Sequence, residues 1–442
     1  MIDLKYATLG SVWALILLSV LPVKAQESMD LNRAIALALD QNHQIKILEN
    51  QVEIAERSAS IGNAGLLPSL SAGGSVGGSV NNTELEFAGG IPPNKTDGAQ
   101  SSIVQGNASL NYVLFNGLRG QRSYQRLKLN KEAVDLQSRA NIESVILQVA
   151  QMYYTAVRAK DQWEIAKRNA AISARRFERA SVAEELGSIS KQAWLSARVD
   201  LTTDSAAYFN AALDYRSSLR NLGRLIGMPL DTTVQIEPLT LEVKDWSLEQ
   251  LQQTAMEQNA LVKNLELQQA IAEKDVQISW SSVFPKVSLS GGYNYTNQQN
   301  EVGILLRNVQ SGWTGNLGIS YTLFDGLRNN IQRQNAQVML ENAEIQWADQ
   351  RLQLSIDLDN AYDAYLQSMR LAEFEEQNLA SSELNLSRTE DLMQRGQMTS
   401  TEFREAQLAL LSAQVRLSNT KVATKLNELE VLRLTGQILS TE

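Results

Sequence analysis

The chain carries its own plan twice. Leu114-Phe115-Asn116-Gly117-Leu118-Arg119 returns 209 positions later as Leu323-Phe324-Asp325-Gly326-Leu327-Arg328. Gly187 and Gly396 stand at the same offset, as do Leu225-Ile226-Gly227 and Leu434-Thr435-Gly436. Upstream, Gln41-Asn42 matches Gln258-Asn259, and Pro68 matches Pro285, at an offset of 217. The offset changes between the proline and the Leu-Phe-x-Gly motif, where an exposed loop tolerates insertion. Repetition on this scale makes a fold of two similar halves the first expectation.

Each half reads helix, strand, loop, strand, long helix, turn, return helix. The first half spans 26–246 and ends in a linker over 228–246; the second spans 247–442 and ends in a short tail. Leading helices are expected over 31–64 and 248–282. Asp30 and Ser247 would be their N-caps, and Pro68 and Pro285 lie just past their ends. Strands are expected near 67–80, 103–115, 286–296 and 313–324. In these runs Leu70, Val76, Val104, Leu110, Tyr293, Tyr295, Leu317 and Ile319 alternate with serine, asparagine, threonine and glutamine. An apolar face backed by a small polar one suits a wall with lipid on one side and water on the other. Trp313 with Tyr293 and Tyr295 would suit an interfacial aromatic girdle.

Two stretches, 118–185 and 327–395, contain no proline, and no glycine beyond Gly120. At 1.5 Å per residue, a helix of this length runs to roughly 100 Å. In the first of them Ile142, Val145, Val149, Met152, Ala156, Ala159 and Trp163 alternate spacings of three and four, a heptad seam for packing against other helices. Gly187 and Gly396 sit where each helix should turn back, into return helices over 190–226 and 400–435.

Four strands do not close a barrel, since the smallest barrels use eight. A chain with four strands long enough to cross a membrane must borrow the rest from copies of itself. Three copies supply twelve strands, and two copies would leave little lumen. The fold class expected is therefore mixed α and β: a trimer with a 12-stranded transmembrane β-barrel, continued by an α-helical barrel.

Composition removes most alternatives. The formal net charge of −9 is opposite to what phosphate neutralisation needs, so nucleic acid is not an expected partner. With no cysteine there is no disulfide, no thiolate metal site and no lipid-modified cysteine anchor. His43 is the lone histidine and has no ligand cluster or catalytic dyad around it in the sequence. Gly73-Gly74-Ser75-Val76-Gly77-Gly78 lacks the Lys-Ser/Thr pair of a phosphate loop and reads as strand. No cofactor, metal or enzymatic activity is expected. Residues 1–25 read as a signal peptide: Lys5, an apolar run from Ala7 to Leu21, Pro22, then Val23-Lys24-Ala25.

With this plan the chain resembles the TolC family of outer-membrane factors. The likeness rests on the doubled order of elements and on the strand-to-helix boundaries at Phe115, Gly117, Phe324 and Gly326. It also rests on the two turns Glu185-Leu186-Gly187-Ser188-Ile189-Ser190 and Arg395-Gly396-Gln397-Met398-Thr399-Ser400. The resemblance implies an exit duct in the outer membrane of a Gram-negative bacterium, with a large periplasmic part and lipid around its barrel. It implies a periplasmic adaptor protein and an inner-membrane pump, proton-driven or ATP-driven, as partners. By the same resemblance Gly187, Ile189, Ser190, Gly396, Met398 and Thr399 would meet the adaptor, and Glu402 and Glu405 would form an acidic ring at the periplasmic constriction. Two departures stand out. Ala193 and Ser196 occupy the equivalent places of the first half, and Met398 stands where the best-known member has an arginine that helps lock the closed state. The competing reading is a secreted or periplasmic coiled-coil protein without a pore.

Overall fold

The structure is a computed structural model, and it describes residues 28–86, 88–90 and 92–439. The expected signal peptide lies outside the described residues. Elements follow in the order β1 (Ser28–Met29), α1 (Leu31–Gln41), α2 (His43–Ser58), β2 (Ser69–Leu85), β3 (Asn94–Phe115), α3 (Arg119–Glu185) and α4 (Lys191–Ile226). Then come β4 (Gln235–Ile236), α5 (Leu248–Gln258), α6 (Ala260–Ser279), a 3-10 turn (Trp280–Val283), β5 (Lys286–Asn300), β6 (Arg307–Ser320), α7 (Arg328–Gln394) and α8 (Ser400–Leu434). The chain forms two compact units. One holds the described residues up to Leu48, Ala140–Asn259 and those from Gln353 on; the other holds Glu49–Arg139 and Ala260–Leu352.

In the second of these units the sheet runs β2-β3-β5-β6, antiparallel throughout. The register places Val76 beside Val104, Ala108 beside Tyr293, and Tyr293 beside Trp313, all on one face. The opposite face carries Ser71, Ser109, Gly292 and Thr314 in one row and Gly73, Asn107, Asn294 and Gly312 in the next. Hydroxyls and amides on that face bond across strands: Ser71 Oγ lies 2.8 Å from Ser109 Oγ, and Asn294 Nδ2 donates to Thr314 Oγ1 at 3.3 Å. Apolar side chains on the other face stay bare, with Trp313 83% exposed and its ring tilted 59° against that of Tyr293, 5.1 Å between centroids. The sheet has no layer on either side, and β2 and β6 have no partner on their outer edges among the described residues.

The strands differ in extent from the sequence expectation. β2 and β3 pair as far as Leu85 and Asn94, well past Ser101, where pairing with β5 stops. β6 ends at Ser320, so Leu323 and Phe324 lie beyond the strand expected to reach 324. Helices of the same unit form a row. Lys131 of α3 pairs with Glu56 of α2 at 2.7 Å, and Arg126 of α3 pairs with Asp275 of α6 at 2.7 Å. Arg333 of α7 lies over the Trp280 ring, 4.6 Å from its centroid, just past α6.

The other unit is helical. The heptad seam of α3 turns inward: Val145, Val149, Ala156 and Ala159 are buried, and they pack with Leu219, Leu222 and Ile226 of α4. β1 and β4 pair in parallel, and Tyr153 donates its hydroxyl to the Met29 carbonyl at 3.1 Å.

The leading helices are where the structure departs most from expectation. Each is broken in two, at Asn42 and at Asn259, both in extended conformation. Asn42 donates Nδ2 to the Leu225 carbonyl at 2.6 Å, and its Oδ1 accepts from the N–H groups of Gln44 and Ile45 at 2.7 and 3.2 Å. It therefore caps the end of α4 and the start of α2 together. Asn259 likewise donates Nδ2 to the Leu434 carbonyl at 3.0 Å. Beside each contact a glycine lets two backbones meet: a Cβ on Gly227 would fall 2.8 Å from the Gln41 carbonyl oxygen, and one on Gly436 2.8 Å from that of Gln258. Asp30 caps α1 by accepting from Arg33 N at 2.8 Å, whereas the Ser247 side chain makes no cap bond.

Candidate site at the hairpin turns

The long helices end within a residue or two of the expected positions because each runs into a glycine in left-handed conformation, φ 70° at Gly187 and 72° at Gly396. Gly187 N donates to the Glu184 carbonyl and Ser188 N to that of Ala183, both at 2.9 Å. Gly396 N donates to Met393 and Gln397 N to Leu392, at 3.0 and 2.9 Å. Paired bonds of this kind close a helix C-terminus and satisfy its last carbonyls. Two residues later the chain starts again. Ser190 Oγ accepts from Ala193 N at 3.2 Å, and Thr399 Oγ1 accepts from Glu402 N at 3.3 Å.

At the turns Gly187, Ser190, Gly396 and Thr399 are exposed, and Ile189 and Met398 are half-buried. The second turn alone has a reciprocal cap: Thr399 N and Thr399 Oγ1 both donate to Glu402 Oε2 at 2.7 Å. These bonds, led by the hydroxyl, hold the Glu402 carboxyl below its ordinary pKa. Glu402 thus has a local duty that its position relative to the glycine did not reveal, although Thr-x-x-Glu ahead of a helix is a readable signal. Glu405 lies one turn further along α8 and is also exposed.

Behind the turns sits a polar cluster that sequence reasoning missed. Arg404 of α8 grips Asp204 of α4 with two bonds, Nη1 to Oδ2 at 2.6 Å and Nη2 to Oδ1 at 3.0 Å. Its guanidinium is held above its ordinary pKa chiefly by that bond. Ser173 of α3 donates to Asp204, and Arg176 of α3 pairs with Asp200 of α4. One helical turn on, Gln407 is 2% exposed and donates Nε2 to Asn169 Oδ1 at 2.7 Å and to Ser173 Oγ at 3.1 Å. The cluster joins three helices far apart in sequence, so spacing along any one of them could not disclose it.

The strand-to-helix boundaries repeat in backbone but not in surroundings. Leu118 and Leu327 both take positive φ, 66° and 69°, as do Gly117 and Gly326. Phe115 packs edge-on against Phe284 with centroids 6.5 Å apart, and a Cβ on Gly117 would lie 2.6 Å from the Ser281 carbonyl oxygen. Phe324 is 79% exposed, and a Cβ on Gly326 would have nothing within 4 Å.

The described residues thus combine long helices in hairpins with a four-stranded sheet whose outer edges are unpaired. The profile of the outer membrane efflux protein family matches residues 34–228 and 251–437, one stretch in each half, and the chain belongs to that family. Over 240 residues it is 26% identical to outer membrane protein TolC of Vibrio cholerae serotype O1, covering 49% of this chain and 50% of that protein. The chain therefore spans about half the length of the curated relative it matches. Among solved structures, the Campylobacter jejuni CmeC outer membrane channel superposes with a TM-score of 0.75 at 17% identity, over 92% of this chain and 86% of that one. CusC gives 0.73 at 18% identity over 92% of both chains. VceC of Vibrio cholerae gives 0.71 at 17%, over 92% of this chain and 96% of its own. At these identities the likeness is one of fold.

Proposed function

We propose that this protein is the outer-membrane channel of a tripartite efflux pump or type I secretion system, working as a homotrimer and conducting substrates passively. The observation that carries the reading is the bare second boundary. In the first half, Phe115 and Gly117 are covered by the segment at 281–284 from the second half. By the 217-residue offset, the matching cover for Phe324 and Gly326 is the segment at 64–67, and it must come from another copy. The same holds for the sheet, where β6 of one copy would pair with β2 of the next. It holds for the helical row too: Ile331, Val338, Ile345 and Leu352 make a bare stripe on α7 at intervals of seven, and Ile54 and Ile61 lie bare at the α2 end. Such heads and tails close into a ring. Three copies make twelve strands, enough for an aqueous lumen lined by the uncharged Ser, Asn, Thr and Gln face, with the apolar face against outer-membrane lipid.

In this reading the helices form a periplasmic α-barrel. The turns at Gly187, Ile189, Ser190, Gly396, Met398 and Thr399 meet a periplasmic adaptor protein, which links the duct to an inner-membrane pump. Glu402 and Glu405, three copies of each, form an acidic ring that favours cations at the constriction. Cargo choice rests with the pump, because small uncharged side chains along the lumen offer little to recognise. The test is the mass of the detergent-solubilised complex together with its conductance in a planar bilayer. Three copies per particle and discrete conducting steps are expected; a water-soluble, non-conducting monomer would refute the proposal.

A further inference from the structure

Between β4 and α5 the chain runs as a strap, residues 237–247, with no regular structure of its own. The strap is tied down at both ends. Lys160 of α3 donates to the Ile236 carbonyl at 2.7 Å. Tyr362 and Tyr365 of α7 hold the far end: Tyr362 donates its hydroxyl to the Trp246 carbonyl at 2.8 Å, and Tyr365 Oη accepts from Lys244 N at 3.1 Å. Strap, α3, α8 and the start of α1 together border a cavity of about 690 Å³. A volume of this order suits a small organic molecule.

The wall is part apolar and part charged. Leu239, Leu429 and Leu432 supply apolar surface, with the rings of Tyr153 and Trp246. Trp246 is backed by Tyr365, 5.1 Å between centroids. Four carboxylates, those of Asp30, Glu237, Glu242 and Glu428, stand against two lysines, Lys244 and Lys425. Tyr154 is the unusual member. It is 6% exposed, and its hydroxyl has no hydrogen-bond partner among the described residues, although the atom is not sealed off. Burial, and after it the Glu428 charge, hold the phenol proton on well above its ordinary range. Glu428 is also 6% exposed; its Oε2 accepts from Lys425 Nζ at 2.8 Å, and its Oε1 has no donor. A hydroxyl and a carboxylate oxygen, both on nearly buried side chains and both open, cost stability unless something meets them.

We propose that this cavity binds an organic amine with an apolar body, its ammonium held by the Tyr154 hydroxyl and Glu428 Oε1. An ammonium donates three hydrogen bonds, so it serves the phenol's lone pair and the free carboxylate oxygen together. The excess of carboxylates over lysines in the wall favours a cation over an anion or a neutral molecule. The Tyr153 and Trp246 rings attract a cation and also pack against an apolar body. Lys425 keeps its bond to Oε2. The site belongs to a single copy of the chain, and it stands whether or not the protein is a duct.

The test uses the full chain in detergent at neutral pH, with 2-phenylethylamine as the probe and titration calorimetry against a detergent blank as the readout. Wild type should saturate at millimolar probe or below. The uncharged analogue 2-phenylethanol should bind about tenfold more weakly or worse, the difference expected of a hydrogen bond to a charged group. Tyr154→Phe deletes a hydroxyl that bonds to no other residue. Its melt without probe should therefore match wild type, while its affinity for the amine falls about fivefold. Glu428→Gln should weaken binding about tenfold or more, and circular dichroism checks that it is folded. Heat that never saturates in wild type, equal affinity for amine and alcohol, or unchanged affinity in either folded variant overturns the proposal. So does a Tyr154→Phe melt several degrees below wild type, because the hydroxyl would then have a partner within the protein. None of these readouts depends on conductance or on the number of copies, so the amine site and the duct can fail separately.

Discussion

Asn42→Ala removes more than one ordinary hydrogen bond. The wild-type side chain is 6% exposed and holds three backbone groups, the Leu225 carbonyl and the Gln44 and Ile45 N–H groups. Without it the Leu225 carbonyl loses its side-chain donor at a helix end where few others reach, which costs about 1–3 kcal/mol. Loss of the cap on α2 adds about 1 kcal/mol. The sum, about 2–4 kcal/mol, is a sizeable share of a stability of about 5–15 kcal/mol. At about 2–4 °C per kcal/mol for a unit of this size, the apparent Tm should fall by roughly 4–16 °C. The assay is a far-UV circular dichroism melt in detergent at fixed scan rate, since membrane assemblies unfold irreversibly. Asn42→Asp keeps the acceptor for Gln44 and Ile45 but turns a carboxylate toward the Leu225 carbonyl, so it should also melt early. A fall below about 1 °C in Asn42→Ala would show that water replaces the side chain, and the argument for a buried double cap would fail.

Other outcomes follow from the same geometry. Gly117→Ala should impair folding, because its methyl meets the Ser281 carbonyl within the chain; Gly326→Ala should leave the chain folded but reduce trimer yield on size exclusion. Equal behaviour of the two would argue against a neighbour's segment covering Gly326. Glu402→Gln with Glu405→Gln should reduce cation selectivity in planar bilayers, and unchanged selectivity removes them from the constriction. The folded pKa of Glu402 is depressed, so its cap contributes fully above the usual carboxylate range and is lost as pH falls through the lower folded value. Wild-type α8 should therefore loosen at strongly acidic pH in hydrogen exchange, while Glu402→Gln is already loose at neutral pH. Asp161 is pushed above its ordinary pKa, mainly by burial, despite the bond from Ser418. Its charge opposes folding once pH rises through the unfolded value, so Asp161→Asn should be neutral or stabilising at pH 7 in the same melt.

The long helices were legible almost to the residue, because a run without proline or internal glycine has nothing to end it until a left-handed glycine does. The strand faces were legible because period two survives whatever packs around them. The breaks at Asn42 and Asn259 were not. Each asparagine interrupts an apolar pattern that continues smoothly on both sides, and its reason lies at a carbonyl 183 or 175 positions away. Sequence comparison of the halves did pair Gln-Asn with Gln-Asn and Leu-x-Gly with Leu-x-Gly; it could not say that these two motifs touch. The Arg176 and Arg404 cluster escaped for a related cause, since each of its helices contributes only two or three polar residues to an otherwise ordinary surface.

The naked strand edges set a hazard in time. From the moment a chain leaves the ribosome until the neighbours of the proposed trimer arrive, β2 and β6 offer rows of unsatisfied amides to any passing partner. Correct closure is a race against fibre-like growth, and the odds shift with how many copies are present at once. Under the proposed trimer, cells making this protein must therefore hold nascent chains apart, or deliver them together, before the ring can form.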